Sequence, residues 1–488
     1  MTSVLWLRRD LRRHDHPALL AAAAAGPVAP LVVIDPRLWA GAGPVRRAWY
    51  AASVRAAAGA YGGRLSVRLG DPRVVVPAFA SGVGAGSVHV SRESTPAGSR
   101  RDAAVAALLT AAGVRWVETG TPYAVGPGLV TKADGTAYQV FTPFRRAWAA
   151  HGWPAPAGDP ERLELVDGGA QGAAAALDAD AGRAAEAALD AALAEPGLPH
   201  LPEAGEGAAL TRWRAFLDGG LAAYGTDRDR ADLDATSGLS PYLKVGAIHP
   251  RTLLADLAER REAVPGEGES LERFVTELAW REFYADVLWR HPGSAWRDLK
   301  PALAGLRYDA PEDGIAAWQA GETGYPIVDA GMRQLRATGW MHNRVRMITA
   351  SFLTKDLHVW WPVGARFFLD HLIDGDLASN SHGWQWVAGT GTDASPYVRV
   401  FNPVTQGRRF DPRGDYVRRW VPELRHVGGA AVHEPWEVPD GYAAGYPARL
   451  VDHAAERAEA LRRFAAARSR LPAPPAPPAP PAPPADSR

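Results

Sequence analysis

The sequence predicts an α/β domain on an open parallel sheet, joined by a long connection to a large all-α domain. Three observations carry this. Short β-branched runs spaced by helical lengths fill residues 1–128, an Ala-, Gly-, Pro- and Asp-rich stretch follows, and strand signals vanish beyond about 206. With 488 residues and 47% hydrophobic content the chain can bury large cores without cross-links. It has no cysteine, which excludes disulfides, thiolate metal sites, iron–sulfur clusters and a cysteine nucleophile, and makes the cytoplasm the expected compartment. Lys and Arg number 54, and so do Asp and Glu, so a polyanion-binding surface has to come from local clustering of arginine.

In chain order, Val4–Leu7, Val28–Ile34, Leu65–Leu69, Ser87–Ser91 and Val114–Val117 read as strands of successive βαβ units. No Gly-x-Gly-x-x-Gly follows the first strand, so the usual dinucleotide turn is missing, while a ligand crevice at the carboxyl ends of the strands stays open. Arg8-Arg9 ahead of Ala18–Ala25 imitates an export signal, but the pair follows an apolar strand and the alanines stop at Gly26-Pro27. No segment is long enough to span a membrane. Residues 129–205 read as an interdomain connection with one helical patch near Gly182–Ala194. Over 206–467 helical periodicity takes over; in Leu271–His291 the apolar positions 271, 274, 275, 278, 283, 287 and 288 mark one buried amphipathic helix. From 468 to 488 Pro-Ala repeats predict an extended tail that builds no core.

Chemistry concentrates in four places. Glu277, Trp280, Arg281 and Tyr284 share one face of the 271–291 helix, as an ion pair in a helix seam or as the lining of a site. In the helical run Trp340–Met347, Asn343 and Met347 fall on one stripe with Ser351, which fits a lined cavity better than plain core. Asp374-Gly375-Asp376 leads into Asn380 and Gly383-Trp384-Gln385-Trp386; without further ligands nearby, the two carboxylates are read as hydrogen-bond acceptors rather than a metal site. Thr236-Ser237-Gly238-Leu239-Ser240 offers hydroxyls and backbone N–H groups at a helix start, suited to a diphosphate and equally to ordinary capping. Over 340–419 ten Lys and Arg stand against seven Asp, a small excess that permits a DNA-facing surface.

Together with Trp6–Asp15, Thr276–Tyr284, Thr323–Asp329 and Gly339–Arg344, these strings resemble the photolyase/cryptochrome flavoprotein family, most closely the class I bacterial enzymes that repair cyclobutane pyrimidine dimers. The similarity runs over nearly the whole chain except the alanine-rich connection and the proline tail. The resemblance implies a Rossmann-like first domain and a helical domain holding FAD among Tyr224, Thr236, Ser237, Gly238, Leu239, Ser240, Arg281, Asn343, Asp374, Asp376 and Asn380. It implies electron donation from photoexcited, reduced FAD to a dimer flipped out of UV-damaged DNA. Glu277 would hydrogen-bond the lesion, Trp280, Asn343, Met347 and Trp386 would line it, and Arg228, Arg344 and Arg399 would meet the flanking phosphates. Relatives that repair (6-4) photoproducts carry histidines where Asn343 and Met347 stand, which favours the cyclobutane dimer. Flavin photoreduction would run through Trp384 and Trp361, with Tyr308 in the third place and Trp360 or Trp318 as detours. Ala97–Arg100 and Trp296 lack the groups of a folate antenna; the alternatives near Trp6, Arg8, Asp10, Asp35 and Arg47 are a deazaflavin or an empty crevice. A monomer without an obligate protein partner is expected. The other readings are a cryptochrome-like light sensor and a flavoprotein or helical adaptor without photochemistry.

Overall fold

The computed structural model describes residues 1–169, 175–300, 303, 305–392 and 398–469. The first domain alternates β1 (Thr2–Leu7), α1 (Pro17–Ala25), β2 (Val28–Ile34), α2 (Pro44–Ala60), β3 (Ser66–Leu69), α3 (Pro72–Gly82), β4 (Ala85–Val90), α4 (Pro96–Ala111) and β5 (Arg115–Glu118). The five strands run parallel in the order β3-β2-β1-β4-β5. All five expected strands are present, and β1 and β2 are buried almost throughout, as a sheet covered on both faces requires. Pro30 is tolerated inside β2 because β3 pairs only with Leu31–Ile34, so the ladder on that side starts one residue later.

The strand order reverses between β1 and β4, and the loop after β1 fills that switch point with the protein's own side chains. Arg8 bonds Asp102 and the Ser91 carbonyl, and the Ser91 hydroxyl donates to Asp10 at 2.6 Å. Arg8 and Arg101 lie over the Trp6 ring at 4.9 and 5.0 Å.

Residues 129–205 are more structured than a plain connection. They hold α5 (Phe141–His151) and α6 (Ala175–Leu193), longer than the helical patch expected near 182–194, because the alanines that mimic a flexible linker are also the strongest helix formers. Ala185 and Leu189 of α6 are fully buried, and Arg68 at the edge strand β3 grips Asp178 at 2.6 and 2.8 Å. Such cover protects the open side of the sheet.

The second part is helical, and the elements that matter below are α7 (Tyr224–Asp227), α8 (Ser240–Val245), α9 (Pro250–Ala263), α10 (Gly268–Arg290), α11 (Asn343–Ser351), α12 (Trp361–His371), α13 (Leu377–Ala388) and α14 (His453–Ser469). Helix α10 matches the expected amphipathic helix and buries Leu271, Phe274, Leu278, Phe283, Val287 and Leu288. Its periodicity hid two buried carboxylates: Glu282 accepts the N–H groups of Ala124 and Gly126, and Asp286 accepts that of Gly128. The run expected to be helical from Trp340 begins at Asn343, because the His342 side chain accepts the Arg344 N–H and caps the helix there. Among the described residues no helix is long and apolar enough to cross a membrane. Of the proline tail only Arg468 and Ser469 fall among the described residues, at the end of α14.

The two parts are locked at a buried polar seam. Asp15, at a φ of +49°, accepts Arg251, the Thr252 hydroxyl at 3.1 Å and the Ala157 N–H at 2.8 Å. Beside it His249 donates from Nε2 to the Thr121 carbonyl at 2.8 Å and accepts the Arg251 N–H on Nδ1 at 3.1 Å, the pattern of a neutral imidazole. Burial pushes this imidazole from 6.5 down to about 4, against the opposing pull of Asp15. Between those values the folded chain binds fewer protons at His249 than the unfolded one, so stability falls as pH drops through the window. We expect the stability advantage of the wild type over His249→Gln to shrink by about 2–3 kcal/mol between pH 7 and 4 in denaturant unfolding. Equal pH slopes would show that His249 is not held neutral.

Candidate functional site

Helix α13 begins where it does because Asp376 caps it, accepting the Ser379 N–H on Oδ1 at 3.0 Å. Its other oxygen takes Arg9 of the first domain at 2.7 Å and lies 3.7 Å from the Lys244 ammonium. Burial alone would raise this carboxyl's pKa, but Arg9, Lys244 and Arg281 outweigh burial and hold it well below the usual carboxylate range. Asp374 accepts Arg346 through both oxygens at 3.1 and 2.7 Å and the Ser240 hydroxyl at 2.6 Å. The hydroxyl loop, the start of α11 and the turn before α13 are thereby brought together, as the sequence reading required.

Within the loop, Gly238 has a φ of +62°, and a Cβ there would run into the Arg212 guanidinium, which donates to the Ser237 carbonyl at 2.7 Å. Leu239 is buried beneath it. Asn380 donates its amide N–H to the Ala365 carbonyl of α12 at 3.0 Å. Arg281 lies 4.4 Å over the Tyr123 ring and donates to the carbonyls of Pro122 and Leu243 at 2.9 and 3.2 Å. Tyr224 stands apart from this cluster, its ring 5.5 Å from Phe216 and Phe274 and beneath Arg228.

The charge balance around this space is positive. Arg9, Arg46, Lys244, Arg281 and Arg346 outnumber Glu93, Asp374 and Asp376 in and around it. Burial pushes Lys244 down to about 7; Asp376 opposes the shift, and Arg9 and Arg46 add to it. The Arg9 Nε is buried with no hydrogen-bond partner. A partly buried surplus of positive charge with an orphaned donor fits an anion. Arg9, Arg46, Lys244 and Arg346 were not singled out from the sequence as cofactor residues, since nothing local to them marks a partner hundreds of residues away.

The residues expected to face a lesion form three groups. Arg228 pairs with Glu277 of α10 and lies 3.9 Å from Asp229; Asp229 holds Arg344 of α11 at 2.8 Å, and Arg344 reaches the Met347 sulfur at 3.7 Å. Asn343, at the start of α11, is exposed, and Met347 is half-buried one turn later. Trp386 on α13 is half-buried with Arg399 5.0 Å from its ring centre. Trp280 stacks face to face on Phe141 of α5, with ring centres 3.5 Å apart and planes 7° from parallel. The segment read as a connection thus supplies a wall residue, Phe141, and only its place before a short amphipathic run could have signalled it.

The aromatic residues fall into two groups of neighbouring rings. Trp384 packs on Phe368 at 4.9 Å and Trp318 at 6.1 Å, while fully buried Trp361 donates to Asp298 at 2.7 Å. Tyr308 neighbours Trp360 at 6.4 Å, and Trp360 in turn neighbours Trp361 at 6.5 Å.

Comparison with known proteins bears on this arrangement. Residues 3–161 match the family model "DNA photolyase" and residues 274–466 the "FAD binding domain of DNA photolyase". A deoxyribodipyrimidine photo-lyase of Streptomyces griseus is 41% identical over 93% of this chain and 97% of its own length. Among solved structures, a class III photolyase of Agrobacterium tumefaciens superposes with a TM-score of 0.84 at 35% identity, covering 96% of this chain and 98% of its own. A Synechocystis cryptochrome superposes with a TM-score of 0.82 at 26% identity, covering 95% and 99%.

The Arg9–Asp376 contact yields a direct test. Arg9→Met leaves a partly buried carboxylate that has lost its closest cation and keeps only Lys244, Arg281 and the Ser379 N–H, and we expect a loss of about 3 kcal/mol in denaturant unfolding. Adding Asp376→Asn should recover part of it; purely additive losses would show that the two residues are not coupled.

Proposed function

The chain belongs to the DNA photolyase family and carries its FAD-binding domain, and from that premise we propose that it splits cyclobutane pyrimidine dimers, flipped out of DNA, between α10, α11 and α13. It is an enzyme of light-dependent DNA repair. The observation that carries the finer reading is the set of side chains around Glu277. A carboxylate, a thioether and two large indoles sit on adjacent helices, with Arg344 on one of them and Arg228 and Arg399 in the irregular chain beside them, which suits a flat, polar-edged lesion joined to phosphates.

When bound, reduced FAD supplies the light-driven electron. The chain's own residues do the rest. Trp280, held flat by Phe141, and Trp386 offer the apolar faces on which an unstacked dimer settles, replacing the stacking it loses on leaving the helix. Arg228, Arg344 and Arg399 receive the phosphates beside it. A phosphate arriving at Arg228 competes with Glu277 for the guanidinium and frees the carboxyl to hydrogen-bond the base edge, where charge accumulates during cleavage. Asn343 and Met347 bring no imidazole to donate a proton, so (6-4) photoproducts lack their acid. Arg9, Lys244, Arg281 and Arg346 hold the diphosphate, with Asp374, Asp376 and Asn380 fixing the rest of the cofactor.

In the same reading, 1–128 is the antenna domain, 129–205 the connection, 206–467 the domain for FAD and DNA and 468–488 a tail, and the chain works as a cytoplasmic monomer. The antenna crevice near Trp6 takes a deazaflavin or nothing, and FAD works as the reduced anion. The light-sensor alternative draws on the likeness to the Synechocystis cryptochrome.

Glu277→Ala should lower the quantum yield of dimer repair roughly three- to tenfold while FAD content and affinity for lesion-bearing DNA stay close to wild type. Parallel loss of all three would mark Glu277 as a structural residue, and an unchanged yield would remove it from the reaction.

A further inference from the structure

We propose that electrons enter the buried aromatic chain at Trp360, with Asp298 as the acceptor of its proton, and that Tyr308 is a packing residue rather than the terminal donor. This rests on the flavin reading above and goes beyond it by naming the exit.

Of the two groups of rings, one reaches the surface. Trp384 touches Trp318, but Trp318 is itself fully buried, donates to the Thr349 carbonyl at 3.0 Å and packs on Phe367 and Phe368, so that branch ends in the core. Trp361 is also fully buried, and its ring neighbour is Trp360, 37% exposed. Both indoles point at one acceptor: Trp361 donates to Asp298 Oδ1 at 2.7 Å and Trp360 donates to the same oxygen at 3.4 Å. A carboxylate shared by two indoles stabilises positive charge on either and can take the proton that an oxidised indole releases. Asp298 is half-buried, so that proton can pass on to water.

Tyr308 has no such provision. Its hydroxyl is buried without a hydrogen-bond partner, and burial, with Asp298 adding to it, raises its pKa. A tyrosine gives up an electron readily only when its proton has somewhere to go. What the structure does give Tyr308 is a fixed position. The Asp309 N–H donates to the His358 carbonyl at 2.9 Å, His358 holds a φ of +52°, and Asp309 bridges to Val359 while its carboxylate takes Arg463 of α14 at 2.8 Å. This clamp lays the Tyr308 ring beside Trp360 and keeps the indole against Trp361.

The step balances as follows. Trp361, once it has lost one electron toward the cofactor, takes one electron from Trp360. The Trp360 Nε1 proton moves to Asp298 Oδ1, leaving a neutral indolyl radical at the surface. A solvent thiol then gives that radical a hydrogen atom and becomes a thiyl radical, and Asp298 returns its proton to water.

The test uses the FAD-loaded protein and the variants Trp360→Phe, Tyr308→Phe and Asp298→Asn. Under blue light with a thiol, Trp360→Phe should slow flavin photoreduction roughly tenfold or more and Tyr308→Phe less than about twofold. After a flash, the transient spectrum should be that of a neutral indolyl radical in wild type and of an indole radical cation in Asp298→Asn. In the dark, azidyl radicals made by pulse radiolysis should give less tryptophanyl radical in Trp360→Phe than in wild type, and Tyr308→Phe should leave the radical yields unchanged. A reversed order of the first two variants, or a tyrosyl radical as the end product that Tyr308→Phe abolishes, would overturn the proposal. If the wild type holds no flavin, the underlying reading fails instead, and the dark experiment still decides between Trp360 and Tyr308.

Discussion

The arrangement of the helices around Asp374 and Asp376 depends on one largely buried ion pair, Arg9 with Asp376. Arg9 leaves the end of β1, beside the point where strand order reverses, and Asp376 is the residue that starts α13. Because the carboxylate also caps the helix, the contact fixes where α13 begins and therefore where Asn380, Trp384 and Trp386 come to lie along it. Breaking a buried pair costs more than the pair contributes, since the remaining charge has no water to turn to. The sheet of one domain and the active helix of the other are in this sense a single structure, reinforced at the Asp15–His249–Arg251 seam.

The same cluster explains why the protein tolerates an arrangement unfavourable to the chain alone. Positive groups outnumber carboxylates around Asp374 and Asp376, Lys244 is pushed toward neutrality, and an Arg9 N–H lacks a partner. An anion would relieve all three at once, and in the proposed reading cofactor binding and folding then reinforce each other by linkage. On the lesion side the logic differs. Glu277, Arg228, Asp229 and Arg344 pair among themselves and are only partly buried, with the Arg344 Nε left unpartnered, so in the proposed reading DNA exchanges partners with groups that water still reaches.

Much of this was legible in the sequence, for physical reasons that differ by element. The five strands stood out because a doubly covered sheet needs continuous β-branched runs, and α10 because a buried helix needs apolar residues at 3.6-residue spacing. The motifs holding Glu277, Asn343, Asp374 and Trp386 were visible as polar groups placed on otherwise apolar faces. Long-range pairings were not: Arg9 finds Asp376, Lys244 approaches it and Phe141 finds Trp280 only through the tertiary fold. Alanine-rich α6 looked like a linker because its apolar stripe is made of small residues that also suit flexible chains. The sequence left Tyr308 and Trp360 both open at the last step of the aromatic chain, and only the tertiary fold sets Trp360 between Tyr308 and Trp361.

The measurement to make is illumination of the reduced protein with blue light in the presence of an oligonucleotide carrying a single thymine cyclobutane dimer, beside a dark control and a (6-4) substrate. Restoration of the two thymines in the light only, with the (6-4) lesion untouched, is the predicted result. Bound FAD with neither lesion repaired would contradict it and leave a fold of this family serving light sensing.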